Sequence, residues 1–209
     1  MIKTIAYDNR QFASNTYIIG ELGKNCVVVD PGQTGTGLLT FIKDRYQTIS
    51  GILLTHGHFD HIRGLNALVD AYHCPIYIHK EDAHYLSDPR FNGSAQFGEP
   101  YTYDGLVHQV EDEELIHLEG HVFRVMHTPF HSPGSSCFIY EQEKSIFTGD
   151  TLFNRTVGRT DLIGSSERLI ASSLAKFKQI DPSFVIYAGH GSQSTIANEL
   201  KFNRFFLYI

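Results

Sequence analysis

Apolar residues recur along this chain in two periods. The stretches IKTIAY, NTYIIG and NCVVVD are short, rich in β-branched residues, and bounded by Asn, Gly or Asp, so each predicts a strand. VVVD runs into Asp-Pro-Gly, a strong turn signal. The segment 37–46, GLLTFIKDRY, places Leu38, Ile42 and Tyr46 on one helical stripe. SGILLT is wholly apolar, as a strand covered on both faces would be. Ile62, Leu65, Leu68 or Val69, and Tyr72 predict a helix starting near Asp60, and CPIYIH predicts another strand. Residues 87–104 are rich in Gly, Pro, Ser, Asn and aromatics, and read as a long surface loop.

The second half keeps the same rhythm. HVFRVMHT, SSCFIYE, KSIFTGD and SFVIYAGHG read as strands. SERLIASSLAKFK reads as a helix with Ser165 or Ser166 as N-cap and Glu167 in its first turn, and STIANELKFNRFF as a closing helix. The expectation is one α/β domain spanning 1–209, with helices on both outer faces of a strand-rich core.

Composition narrows the function classes. The 209 residues are 42% hydrophobic and carry a formal charge of −6, enough apolar mass for a core without staples. The mildly acidic balance, without clustered Lys or Arg, speaks against nucleic acid as a partner. Cys26, Cys74 and Cys137 lack CxxC spacing and suit buried positions in a reducing compartment. MIKTIAYDNR has no apolar signal core, and no run is long enough for a membrane span, so a soluble cytoplasmic protein is expected.

THGHFDH, residues 55–61, crowds three histidines and an aspartate into one turn. In one straight helix His56 and Asp60 share a face, but His58 points almost opposite. In one strand His56, His58 and Asp60 align, but His61 points away. A loop leaving a buried strand and entering a helix can converge all four, and Gly57 gives the backbone freedom to do so. Imidazole and carboxylate donors suit Zn, Fe or Mn. Four such side chains over-fill one catalytic zinc, which takes about three protein ligands. Further donors emerge where predicted strands end: His131 in TPFHSPGSS, Asp150 in FTGD and His190 in YAGHG. Seven donors, five His and two Asp, can build a two-metal centre.

THGHFDH, TPFHSPGS, FTGDTLF and AGHG, in that order, resemble the metallo-β-lactamase fold superfamily. The resemblance implies a four-layer αβ/βα sandwich with two divalent metal ions at one edge of the sheets. Zinc is the expected metal, and iron or manganese also suits the donors. It implies His56, His58 and His131 on one ion, Asp60, His61 and His190 on the other, and Asp150 bridging. Asp30, at the end of VVVD, would support the ligands from behind. TLFNRTVGRTDLIGSS and AGHGSQSTIANELKFNRFF are similar to the short, single-domain branch of the glyoxalase II-like hydrolases. Larger members carry a further helical domain that helps bind glutathione, for which these 209 residues leave no room. One position departs from the pattern. The superfamily usually has Gly before the third-motif histidine, and this chain has Phe130. Phe tolerates positive φ poorly, so the backbone there is either ordinary or strained.

The implied activity is hydrolysis of an S-2-hydroxyacylglutathione-like thioester, a small-molecule substrate, by a metal-held hydroxide that Asp60 orients. Metal lowers the pKa of bound water to about 7, so no separate base is required. Three rivals share or reuse the scaffold. A persulfide dioxygenase would use one iron on His56, His131 and Asp150, and the GRTD stretch resembles that group as well. A lactonase would use the same centre on a different carbonyl. A non-catalytic module would use the metals as structural pins, although structural zinc sites are closed and Cys-rich. Arg155, Arg159 and Asp161 are either substrate contacts or a surface ion pair. The aromatics Phe91, Phe97, Tyr101 and Tyr103 either wall a pocket or form a satellite cluster. His73, His79, His84, His108, His117, His121 and His127 are read as surface or core residues, and Tyr17 as strand packing.

Overall fold

The computed structural model describes residues 2–6, 14–33, 36–207 and 209. Chain order in the first half is β1 (Ile2–Ala6), β2 (Asn15–Gly20), β3 (Cys26–Val29), α1 (Thr36–Arg45), β4 (Ile49–Leu54), α2 (Phe59–Ile62), α3 (Leu65–Tyr72), β5 (Ile76–His79) and β6 (His108–Val110). The second half runs β7 (Leu115–Leu118), β8 (His121–His127), β9 (Ser136–Tyr140), β10 (Ser145–Gly149), β11 (Leu152–Phe153), β12 (Thr156–Val157), α4 (Ile170–Ala175), β13 (Val185–Ala188), β14 (Ser194–Thr195) and α5 (Ile196–Phe202). Tyr7, at the end of the first predicted strand, and Tyr208, in the apolar tail, lie outside the described residues.

Two six-stranded sheets face each other. The first has the order β1-β2-β3-β4-β5-β6, antiparallel at β1/β2/β3 and parallel from β3 to β6. The second has the order β14-β13-β10-β9-β8-β7, with one parallel pair, β10/β13. Strand alternation sorts the core into three layers. From β2 and β3, Tyr17, Ile19, Val27 and Val29 point between the sheets, where they meet Phe123, Val125, Phe138 and Phe147. Their neighbours Ile18, Cys26 and Val28 point outward and are covered by Leu38 and Ile42 of α1 and Leu65 and Leu68 of α3. On the far side Cys137, Ile139, Ile146 and Ile186 pack under Leu174 of α4 and Ile196 of α5. The fold is the four-layer αβ/βα sandwich expected from the sequence.

Three local expectations change. The helix predicted from Asp60 onward is broken at Arg63–Gly64 into α2 and α3. The Gly64 amide donates to Pro31 O at 2.7 Å, and a Cβ there would stand 2.7 Å from that oxygen. The loop after β3 thus presses into the place where a continuous helix would pass. The 87–104 loop is not loose. Asn92, wholly buried, donates to Tyr85 O and Tyr101 O and accepts from the Ser94 amide, cross-tying the segment. The 165–179 helix is α-helical only in its middle, with 3-10 turns at both ends. Ser166 occupies its N-cap without a side-chain bond, while Ser165 ties itself to Leu162. The short strands β6, β7, β11, β12 and β14 carry too little pattern to be read from sequence. Tyr17 packs as expected, against Phe147 and Tyr187, and its hydroxyl donates to Ala188 O at 2.5 Å. No helix among the described residues is long and apolar enough to cross a membrane.

Phe147 is fully buried at the middle of the inter-sheet layer, in ring contact with Tyr17, Phe123 and Tyr187. Phe147→Ala is expected to cost about 3–5 kcal/mol of unfolding free energy. Urea denaturation followed by far-UV circular dichroism checks this, and a loss below 1 kcal/mol would mean the layer repacks freely.

Candidate metal centre

The site lies at one edge of the sandwich, where strands from both sheets end together. β4 delivers Thr55 and His56, the turn and α2 deliver His58, Asp60 and His61, and the loop before β9 delivers His131. Asp150 follows β10 and His190 follows β13. Backbone bonds stitch the two sheets at this edge: Ser136 N–H to Thr55 O at 2.9 Å, and Asn15 N–H to Gly189 O at 2.6 Å.

All seven residues singled out in the sequence meet here. Three groups of donor atoms converge, each within 4.8 Å: His56, His58 and His131; His56, His61 and Asp150; Asp60, His61 and His190. Asp150 reaches both ends of the cluster, with Oδ2 3.4 Å from His131 Nε2 and Oδ1 3.3 Å from His61 Nε2. His58 Nδ1 lies 2.9 Å from His131 Nε2, and His190 Nε2 lies 3.2 Å from Asp60 Oδ2. Donors about 2.0–2.1 Å from a tetrahedral ion stand about 3.3–3.4 Å apart, so these separations fit metal ligation.

The hydrogen-bond partners preset which nitrogen each ring presents. Asp30 accepts from the Thr55 amide at 2.8 Å, the Thr55 hydroxyl at 2.6 Å and His61 Nδ1 at 2.9 Å. Because the Thr55 hydroxyl donates to Asp30, His56 Nδ1 donates to Thr55 Oγ1, 3.1 Å away. His131 Nδ1 donates to Arg159 O at 2.9 Å. In His56 and His131, Nε2 is thereby turned to the cluster with its lone pair, and in His61 Nε2 faces Asp150 Oδ1. His56 Nε2 is buried with no hydrogen-bond partner among the described residues. That orphaned acceptor is what a metal ion would satisfy, and the donor set fits two divalent ions.

Electrostatics divide the cluster. Burial, with the neighbouring imidazoles, pushes His56 well below the usual histidine range and His58 down to about 3, so both are neutral. Burial also opposes charge on His61, but Asp60, Asp150 and Asp30 outweigh it and hold its pKa well above the ordinary value. Burial similarly opposes charge on Asp60 and Asp150, and the facing histidines overcome it and keep both carboxylates ionised. His56, His58 and the two carboxylates are thus already in the forms that ligate metals, whereas a bound ion would displace the proton that the carboxylates favour on His61.

Backbone geometry makes room for these groups. Gly149 sits at φ +47°, the turn that aims Asp150 inward. A Cβ on Gly189 would lie 2.4 Å from Asp150 Oδ1. Asp30 itself has φ +49°, a conformation that Asp and Asn tolerate better than most residues. Phe130 does not: its φ is not positive, so the bulky residue before His131 sits in ordinary backbone.

Sequence reasoning missed Asp82, which is fully buried. It accepts from the Gly57 amide at 3.0 Å, the Ser132 hydroxyl at 2.6 Å and the Gly134 amide at 2.6 Å. It therefore clamps the loop of His56 and His58 to the loop of His131. In the sequence it is one acidic residue of HKEDAHYL, with no local sign of partners 25 and 50 positions away. Arg159 and Asp161 form a two-bond ion pair at the mouth, and Arg159 O anchors His131. Arg155 instead stacks over Phe202 and donates its amide to Glu199, away from the donor cluster. Phe91 and Phe97 line the cleft above the donors, whereas Tyr101 and Tyr103 pack on the outer core. His79 and His127 stack on each other at 3.8 Å, outside the donor groups.

Two substitutions test the supports. Asp30→Asn keeps the shape but weakens the acceptor behind His61 and Thr55, and is expected to lower metal affinity about 10–100-fold. Asp82→Asn turns an NH2 toward one of its donors whichever way the amide sits, at a cost of about 1–3 kcal/mol. Chelator-competition titration reads the first and thermal unfolding the second. Wild-type metal affinity in Asp30→Asn would remove the supporting role.

The comparisons agree with this geometry. The family model of the metallo-beta-lactamase superfamily matches residues 9–190. The hydroxyacylglutathione hydrolase GloC of Haemophilus influenzae is 33% identical over 199 residues, covering 93% of each chain. The crystal structure of the BLEG-1 B3 metallo-beta-lactamase superposes with a TM-score of 0.91 at 35% identity, over 99% of this chain and 100% of that one. A protein crystallised in a di-iron-bound form gives a TM-score of 0.84 at 30% identity, over 97% and 99% of the two chains. With its fold, its ordered motifs and its converged donors in agreement, the chain belongs to the metallo-beta-lactamase superfamily.

Proposed function

We propose that this metal-dependent hydrolase is a thioesterase that cleaves the C–S bond of S-2-hydroxyacylglutathione-like thioesters. The carrying observation is the set of seven inward-turned donors at the floor of an open cleft. His56, His58 and His131 would hold one divalent ion, Asp60, His61 and His190 a second, and Asp150 both. Zinc is the proposed metal. The relative crystallised in a di-iron-bound form makes iron the first alternative to assay. When bound, the ions supply Lewis acidity and an acidified water.

The chain's own residues do the positioning. Asp60, ionised and partly exposed at the cleft, would orient the attacking water and take up its hydrogen bond. Asp30 and the Arg159 carbonyl hold His61 and His131 in their presenting tautomers. The similarity to GloC supports the thioester reading. A persulfide dioxygenase would need His56, His131 and Asp150 alone. The donor set here continues to Asp60, His61 and His190, which supports hydrolysis. The likeness to BLEG-1 supports a second reading, opening of a β-lactam amide by the same groups.

Thiol release is to be followed with S-lactoylglutathione and with an uncharged acyl thioester of N-acetylcysteamine, using purified protein and a chelator-treated control. Metal-dependent turnover of at least one is expected. Thiol from neither, with hydrolysis of a chromogenic cephalosporin, moves the assignment to the β-lactam reading. Asp60→Asn is expected to lower kcat by about 10²-fold or more at matched metal content. Full turnover with full metal content would remove Asp60 from the mechanism.

A further inference from the structure

Two clamps hold the donor cluster, and they have no partner in common. At one end Asp82 ties the turn of His56 and His58 to the loop of His131. At the other end the holding side chain is Asn15, at the start of β2. Its side-chain amide donates to Ala188 O and to Gly191 O, both at 3.0 Å. Its backbone N–H donates to Gly189 O, between them. Asn15 therefore grips the chain on both sides of His190. Asn15 is buried, and a polar side chain so enclosed costs free energy unless it is bonded. Both of its amide hydrogens go to this one loop.

The residues beside Asn15 act on the same end of the cluster. The Ser14 hydroxyl donates to Asp60 O. Thr16 Oγ1 donates to Asp30 O at 2.8 Å, and Asp30 in turn holds His61. The Tyr17 hydroxyl joins the Asn15 amide on Ala188 O. Four consecutive residues thus brace the segments of Asp60, His61 and His190, which form one donor group.

His190 depends most on such bracing. Its side chain is 32% exposed, against 15% for Asp60. The flanking Gly189 and Gly191 add no side-chain packing to its loop. Its Nε2 still stands 3.2 Å from Asp60 Oδ2 and 3.5 Å from Asp150 Oδ2. β2 belongs to one sheet, and β13, which leads to His190, belongs to the other. The placing of His190 against Asp60 is therefore set across the gap between the sheets, and Asn15 spans that gap.

We propose that Asn15 is the positioning residue for His190, and that through His190 it controls uptake of the ion held by Asp60, His61 and His190. It acts through the loop and touches no reacting atom. The consequence for the ion rests on the two-ion reading of the centre. Without the two side-chain N–H groups the loop is free to drift from Asp60, and a ligand out of place binds its ion less tightly. The group of His56, His58 and His131 is held by the other clamp, and residues without shared partners act nearly independently.

Zinc uptake by chelator-stripped protein, titrated against a chromogenic chelator, tests this, with histidine imidazole NMR spectra recorded through the titration. Asn15→Leu keeps most of the volume and removes both donors. Asn15→Ala only removes atoms, and covers the case in which the leucine variant fails to fold. The wild type is expected to take up two ions. In the variants, the step that moves the His61 and His190 resonances is expected to weaken about 10–100-fold, while the step that moves those of His58 and His131 stays in place. Equal weakening of both steps would mean a structural role alone and overturns the proposal, as does no weakening of either. A wild type that takes up one ion refutes the two-ion reading instead. The metal-free spectra then decide on Asn15. Shifted His190 resonances in the variants, with those of His131 unmoved, uphold its positioning role, and unmoved His190 resonances overturn it.

Discussion

The buried carboxylate of Asp30 is the contact on which the site depends. It is almost fully enclosed, and its partners come from the strand end of β4 and from α2. A carboxylate in that position costs free energy unless both oxygens find donors. The Thr55 amide and hydroxyl and His61 Nδ1 meet that need together. Each bond then has a consequence. The Thr55 hydroxyl, spent on Asp30, fixes His56 as donor through Nδ1. The His61 bond fixes that ring with Nε2 inward. The Thr55 carbonyl on the same residue accepts from Ser136 of the other sheet. One buried charge thus sets two tautomers at the point where the sheets are joined.

The same contact explains the backbone around it. Asp30 needs positive φ to turn its carboxylate under β4, and the chain then passes Pro31 close to Gly64. That passage breaks the helix after the first histidine motif. α2 is only four residues long, and it carries Asp60 and His61 at adjacent positions into one donor group with His190. The loop after β3 thus touches both the helix break, through Pro31, and the ligand His61, through Asp30.

How much of this could be read in advance follows from how local each signal is. The strands around VVVD, GILL and SIF are legible because β-branched residues between turn formers need no partner to declare themselves. The ligands are legible because five histidines and two aspartates fall where those strands end. Asp82 and Asn92 are not legible. Asp82 satisfies amides of two other loops and Asn92 ties backbone groups within its own segment, and a single Asp or Asn in a polar segment looks like any surface residue. The helix break at Gly64 hides for the same reason, since Pro31 is its cause and lies 33 positions earlier. The 165–179 segment shows the opposite limit: its apolar period is right, but over three or four residues a 3-10 turn of about 3.0 residues cannot be told from an α-helical turn of about 3.6.

Phe130 shows how a departure from the family pattern can be absorbed. Glycine is required before the third-motif histidine only if that backbone needs positive φ, and here it does not. The released position carries packing instead. The Phe130 ring is almost wholly buried, and its carbonyl accepts from the Ser166 amide at 2.8 Å. Ser166 follows the turn that Ser165 closes on Leu162. Leu162 and Ile163 form part of the cleft wall. The backbone at 130 therefore ties the loop that holds His131 to the segment that follows Leu162 and Ile163. The glycine that the pattern leads one to expect would keep the carbonyl bond but leave the buried volume of the ring unfilled. Phe130 thus replaces backbone freedom that the site does not use with buried apolar volume beside a metal-ligand loop.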